Sequence, residues 1–310
     1  MRFRAPPRVR GSKRARAATV ARQRASAVAS QKGVTTIPVR PGLPGWCFTL
    51  LPGDRADMAS RQPFAVEAPS SPEPGSTLVV GQSHLGMAGV TAVDYLVRHL
   101  EATQIGHVAP ETLPAIAPFE DGVPRHHSRL YALDGTGITV LVGELFIPVV
   151  AARSYTDALL EWADGTGIEE VAVLHGVPFP HGPEEHEVFH VATPSYRERR
   201  LPDDEFRPLR GGFLDGVVGE LVTRSLDAAA PETGVFITPT HPPGPDVDAA
   251  LRLLDALQTL YAFEVDETEL RELGERMTRY YEQLAERMEA IAESGEALGS
   301  HDYPEDRMYM

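Results

Sequence analysis

At 310 residues the chain is long enough to bury a large core, as one large domain or two small ones. Its 29 Lys and Arg against 44 Asp and Glu, a net charge of −15, argue against a protein that binds nucleic acid over its whole surface, because a phosphate backbone needs a basic face. A single cysteine excludes a disulfide framework and a thiolate zinc cluster, and the most apolar run, 138–152, is broken by Glu144 and Pro148 and cannot span a bilayer.

The charge is unevenly spread. Residues 1–53 hold eleven Arg and Lys and no acid, together with both lysines of the protein and its only cysteine, Cys47. The remainder carries 18 bases against 44 acids. An acidic, lysine-free body is tolerable where salt screens repulsion, and at about 1 M salt the Debye length is roughly 3 Å. The composition points to a halophile and to a soluble, cytoplasmic protein. Residues 1–57 read as a basic disordered extension, an upstream stretch that would make Met58 the natural first residue. An arm for nucleic acid or an anionic surface is the alternative. A secretory signal is disfavoured, because no continuous apolar core precedes Pro38.

Residues 58–75 read as a linker, rich in Pro, Ser and Glu from Ala68 onward. Thr77-Leu78-Val79-Val80 is a short buried strand that runs through a glycine-containing loop, Gly81 to Gly89, into a helix ending near Leu100, with Val90, Val93, Leu96, Val97 and Leu100 on one face. Residues 105–108 form the next strand. Strands 129–133 and 138–145 pair across Asp134-Gly135, a hairpin signal. A helix over 149–163 carries Leu159, Leu160 and Trp162 and is ended by Gly165 and Gly167. Residues 171–174 and 188–192 are strands, 217–228 a helix, 235–237 a strand, and 246–261 a helix with Leu251, Leu254, Leu257 and Leu260 or Tyr261 inward. Short apolar strands alternating with amphipathic helices define an α/β domain over 76–264, with helices on both faces of a mostly parallel or mixed sheet. Beyond it, 265–294 is a long helix opening on a capping-box-like pair, Asp266 and Glu269. Its stripe of Leu270, Leu273, Met277, Tyr280, Leu284, Met288 and Ile291 has the three-four spacing of an interaction seam. Residues 295–310 read as a flexible acidic tail that reaches about 50 Å if extended.

Candidate chemistry is sparse. The Gly81–Gly89 loop follows a strand and opens a helix, where phosphates bind. It is neither a dinucleotide fingerprint, since His84 stands at a middle glycine, nor a P-loop, and Leu85 replaces the second glycine of a nucleophile elbow. The preferred reading is a tight turn whose glycines permit close packing. Gly81, Ser83, His84, Gly86 and Gly89 are kept as a candidate ligand loop. His175, His181, His186 and His190 cluster in sequence with Glu184, Glu185 and Glu187, but their spacing fits no ligand pattern, and a solvated acidic loop without metal is preferred. His126-His127 reads as an exposed pair without a partner. No nucleophile, base or cofactor loop emerges, so no cofactor is expected and a catalytic role is disfavoured.

The order of segments resembles the archaeal proteasome-assembly-chaperone family. The resemblance rests on Leu78 to Gly81 with Leu85 to Gly89, running on to Asp94-Tyr95-Leu96. It continues with Ala158 to Ala163 followed by Val171 to Gly176, then Gly211 to Leu221, and last Asp246 to Leu260. It covers about 76–293. The Pro-rich stretch Pro239 to Pro245 and the His-rich insert depart from the pattern. The family resemblance implies a three-layer α/β/α sandwich, phosphorylase-like in shape, that forms homo-oligomers. It also implies proteasome α subunits as partners, reached through a C-terminal hydrophobic-Tyr-X tripeptide. Met308-Tyr309-Met310 is similar to that tripeptide. Carried over, the Met310 carboxylate would pair with a pocket lysine, Tyr309 would pack and donate its hydroxyl, and Met308 would fill an apolar notch. No nucleic-acid or membrane partner is implied. Two other readings stay open: a hydrolase or phosphorylase-like enzyme that uses the Gly81–Gly89 loop, or a ligand-binding module.

Overall fold

The computed structural model describes residues 63–69, 73–110, 116–182, 185–201, 206–227, 230–241 and 244–294. The expectations for the basic extension 1–57 and for the tail 295–310 lie outside these residues.

Eleven strands and six helices follow one another in the described residues. They are β1 (Phe64–Glu67), β2 (Thr77–Gln82), α1 (Ala88–His99), β3 (Ala102–Pro110), β4 (Phe119–Glu120), β5 (Val123–Pro124), β6 (Ser128–Leu133), β7 (Ile138–Gly143) and α2 (Val149–Thr166). The second half comprises β8 (Glu170–Val177), β9 (Phe189–Ala192), α3 (Pro194–Arg200), β10 (Arg207–Pro208), α4 (Gly216–Arg224), β11 (Glu232–Pro239), α5 (Val247–Tyr261) and α6 (Thr268–Ser294). Nine strands form one sheet in the order β1-β3-β6-β7-β2-β8-β11-β9-β10, and β4 and β5 make a separate ribbon. The centre of the sheet, β7-β2-β8-β11, is parallel. An antiparallel run, β1-β3-β6-β7, flanks it on one side, and β9 lies antiparallel to β11 on the other.

The central strands are apolar along their whole length because both faces are covered. Side chains alternate between two cores. Val79, Ala172, Leu174 and Phe236 point to the layer of α1 and α5, where Val93, Leu96, Leu253, Leu254 and Leu257 are buried. Leu78, Val80, Val171, Val173, Val235 and Ile237 point to the layer of α2 and α4, where Tyr155, Leu159, Val217 and Leu221 are buried. The architecture is therefore a three-layer α/β/α sandwich with a long C-terminal helix, as the sequence implied.

At the start of β8 a buried carboxylate ties elements together. Glu170 accepts from Thr77 Oγ1 at 2.8 Å, from Arg199 at 3.0 Å and from Arg200 at 2.7 Å, so the first residues of β2 and β8 are clamped to the arginines of α3. Removing one member of such a buried charged cluster leaves an unpaired charge, so the cluster helps to hold the seven-residue α3, whose Tyr196 is buried in the core.

Several elements differ from the sequence reading. The 58–75 linker contains β1, whose Phe64 is 1 % exposed and meets the Tyr155 ring edge-on at 5.3 Å. The His126-His127 pair is only half exposed: His126 faces solvent and stacks on His107 at 3.5 Å, whereas His127 is buried beside the Ser128 hydroxyl at 2.8 Å. The start of α6 is capped differently from the expected box. Asp266 Oδ1 accepts from the Thr268 N–H at 3.0 Å, while Glu269 faces His99 at 3.1 Å. Among the described residues no helix is long and apolar enough to cross a membrane.

Candidate functional site

Loops from the central parallel strands β2, β8 and β11 meet at their carboxyl edge, where open α/β sheets bind ligands. The Gly81–Gly89 loop lies there, and its glycines are explained by packing. A Cβ on Gly81 would lie 2.4 Å from the Gly89 carbonyl oxygen, and one on Gly89 would lie 2.2 Å from the Leu174 carbonyl oxygen. Helix α1 thus presses directly on β2 and β8. Gly86 takes φ +75° where a Cβ would also strike Thr240, and the Asp246 N–H donates to its carbonyl at 2.8 Å.

The Ser83 backbone and the His84 ring are tied to the fold, while Gln82 Nε2 is buried without a hydrogen-bond partner among the described residues. The Ser83 N–H donates to Gly143 O at 2.7 Å. His84 Nδ1 donates to Gly176 O at 3.2 Å, since a carbonyl can only accept. Its ring lies 4.6 Å from that of His175. Burial, and secondarily the neighbouring His84, pushes His175 down to about 4, so it stands neutral at physiological pH. Ser83, His84, His175, Phe146 and Asp215 line a cavity of about 80 Å³. That is well short of the 300 Å³ or so at which small-molecule pockets begin.

A larger hollow of about 660 Å³, which Ser83 also lines, runs along α1 between the Pro118-Phe119 segment and the first turns of α6. Its charges answer one another. Arg98 pairs with Asp94 and Glu120, each at 2.6 Å, Arg125 with Glu120 and Glu144, and Arg129 with Glu144 at 2.8 Å. Such a closed network offers a ligand few uncommitted charges.

The histidines divide in the structure. His175 lies inside β8 beside His84, and His190 donates to Phe206 O at 2.7 Å from within β9. His181 and His186, in the loop after β8, meet a third residue that the sequence reading missed, His241, in the turn after β11. One ring nitrogen from each of these three lies within 4.8 Å of the others. The signal was invisible in the sequence because His241 follows His186 by 55 residues, and only the parallel pairing of β8 with β11 brings their exits together.

These features define the class: a three-layer α/β/α protein with a mixed nine-stranded sheet, an edge of tightly packed loops, and a C-terminal helix standing outside the sandwich. Residues 78–285, about two-thirds of the chain, match the model of the PAC2 family. The chain belongs to the PAC2 family. A search of curated proteins found no significant match. Among solved structures the chain is similar to PbaA of Pyrococcus furiosus, described as an archaeal homolog of proteasome-assembly chaperone, with a TM-score of 0.66 and 19% identity, covering 75% of this chain and 95% of that one. It is similar to PbaB of the same organism, described as an archaeal proteasome activator, with a TM-score of 0.63 and 15% identity over 73% of this chain and 100% of that one. A Thermoplasma acidophilum protein of unknown function matches with a TM-score of 0.60 and 22% identity, over 79% and 97%. At these identities the likeness is one of fold.

Proposed function

We propose that this protein is a proteasome assembly chaperone or adaptor, one that oligomerises and docks its C-terminal tails on proteasome α-subunit rings without turning over a substrate. Membership of the PAC2 family across 78–285 carries the reading, and the names borne by its structural relatives PbaA and PbaB support it. The small cavity at the Ser83-His84 turn, with its glycines committed to packing, gives an enzymatic reading no comparable support.

The last helix supports the oligomer. Leu270 is buried against α5, but Tyr280, Leu284 and Met288, which continue the same stripe, are 61 %, 40 % and 64 % exposed in the single chain. A symmetry mate is the simplest cover for such a seam. The tripeptide Met308-Tyr309-Met310 supplies groups suited to a cleft between subunits: a carboxylate, a ring with a hydroxyl, and a thioether. High salt favours this mode, since long-range steering fades while buried contacts are screened far less. Several tails on one oligomer add avidity if they span the pocket spacing.

Co-expression with proteasome subunits tests the reading. The full chain is expected to co-purify with α subunits in molar salt, and deletion of Met308 to Met310 is expected to abolish capture while leaving the fold intact. Equal capture by both forms would remove the tail from the mechanism, and no capture by the full chain would remove the proteasome.

A further inference from the structure

We infer that His181, His186 and His241 form a binding site for a divalent transition-metal ion of the zinc class, pinning the loop after β8 to the turn between β11 and α5. His241 Nε2 lies 3.1 Å from His181 Nε2 and 3.4 Å from His186 Nε2. Three nitrogens bound at 2.0–2.1 Å around a tetrahedral ion stand about 3.4 Å apart. The two contacts therefore match the edges of a coordination tetrahedron.

Hydrogen bonding on the far sides of the rings aims their Nε2 atoms at one another. His181 Nδ1 faces the Phe179 carbonyl at 2.6 Å, and a carbonyl only accepts, so Nδ1 carries the proton. His241 Nδ1 faces Asp246 Oδ2 at 2.9 Å. That same carboxylate also accepts the His241 N–H at 2.8 Å and, through Oδ1, the Ala249 N–H at 2.9 Å as the cap of α5. A carboxylate oxygen accepts, so His241 Nδ1 carries its proton too. Both neutral rings then turn a bare Nε2 lone pair toward the other across 3.1 Å. Moving either proton to Nε2 relieves that contact only by giving up the far-side hydrogen bond to Phe179 O or to Asp246. A proton shared between the two would also relieve it, but would leave His186, whose Nε2 lies 3.4 Å from that of His241, outside the arrangement. A divalent ion satisfies all three rings at once.

The surroundings have the form of a metal site's outer shell. A ligating imidazole normally donates its second N–H to a carboxylate or a backbone carbonyl, which fixes the tautomer and raises ligand basicity. Asp246 does this for His241, and Phe179 O does it for His181. Three imidazoles with no thiolate suit zinc, copper, nickel or iron rather than calcium or magnesium. His186 and His241 are exposed, so the fourth coordination position faces solvent and takes water. The proposal uses no residue of the tripeptide or of the α6 stripe and does not rest on the proteasome reading.

The test uses the full chain without a polyhistidine tag, stripped with chelator and titrated with zinc chloride by calorimetry at pH 7.5 and pH 5.5, with metal content measured after desalting. One zinc per chain is expected at pH 7.5, with binding lost at pH 5.5 as the imidazoles protonate. H181A and H186A are each expected to weaken binding more than about 100-fold, and D246N, which keeps an acceptor for the α5 cap, about 10–100-fold. Unchanged circular dichroism of the metal-free variants assigns the losses to the ligands. Absence of stoichiometric zinc in the parent chain, or undiminished binding in the H181A/H186A double variant, overturns the site.

Discussion

His175 is a neutral imidazole inside a central strand, and its burial makes the fold sensitive to acid. Its folded-state pKa is lowered to about 4, chiefly by burial, whereas the unfolded chain titrates near 6.5. Between those values the unfolded state binds more protons. Stability is therefore fully present above pH 6.5 and falls as pH drops toward 4, by on the order of 3 kcal/mol. H175N is expected to flatten this part of a stability-against-pH profile measured by urea unfolding; an unchanged slope would assign the acid sensitivity to other groups. The glycines make a second contrast. G89A drives a Cβ to 2.2 Å from the Leu174 carbonyl and should cost about 3 kcal/mol, whereas G165A, in α2 with open space around it, should be neutral or stabilise by up to about 1 kcal/mol. Thermal midpoints of the two variants check this, and equal midpoints would contradict the packing account of the loop. At this scale the sequence was readable where function follows from spacing and silent where it follows from contact. The packing role of Gly81 and Gly89 could be anticipated from a strand running into a helix. The burial of His127 and the meeting of His241 with His181 could not, because nothing local distinguishes those histidines from solvated ones.

The elements that were legible are those with strong periodicity. β2, β8 and β11 are continuous apolar runs because both faces are covered, and α1 and α5 carry buried residues at three-four spacing. β1 escaped notice because it is a four-residue edge strand beside a Pro/Ser-rich stretch, held by Phe64 and by pairing with β3. α3 escaped because Tyr196 is its one buried residue and five of the other six are polar; its ion-pair anchor is Glu170, nearly thirty residues away. The seam of α6 was readable as a stripe but not as to what covers it. If a second copy covers it, L284E and M288E together should lower the mass measured by light scattering to that of one chain. The melting point should hardly move, since both side chains are exposed in the protomer. An unchanged mass would place the oligomer interface elsewhere or deny it.

At the scale of the described body, two cores lie on either face of one sheet, and Tyr280, Leu284 and Met288 of the α6 stripe belong to neither. The architecture was legible from the alternation of strands and helices, and the family from the order of its segments, because both are properties of pattern. Partner choice is a property of surface and terminus, which pattern does not encode. On this view the sandwich presents tails, and affinity for the proteasome should depend on three residues rather than on the body. The most direct measurement is the affinity of purified α-subunit rings for the full chain and for Y309A, determined by surface plasmon resonance in about 2 M salt, where surface charges are screened over more than about 3 Å. The account predicts saturable binding by the full chain and a loss of at least about 100-fold for Y309A, as expected when an interfacial anchor is removed. Equal affinity of the two, or no binding by the full chain, would contradict it.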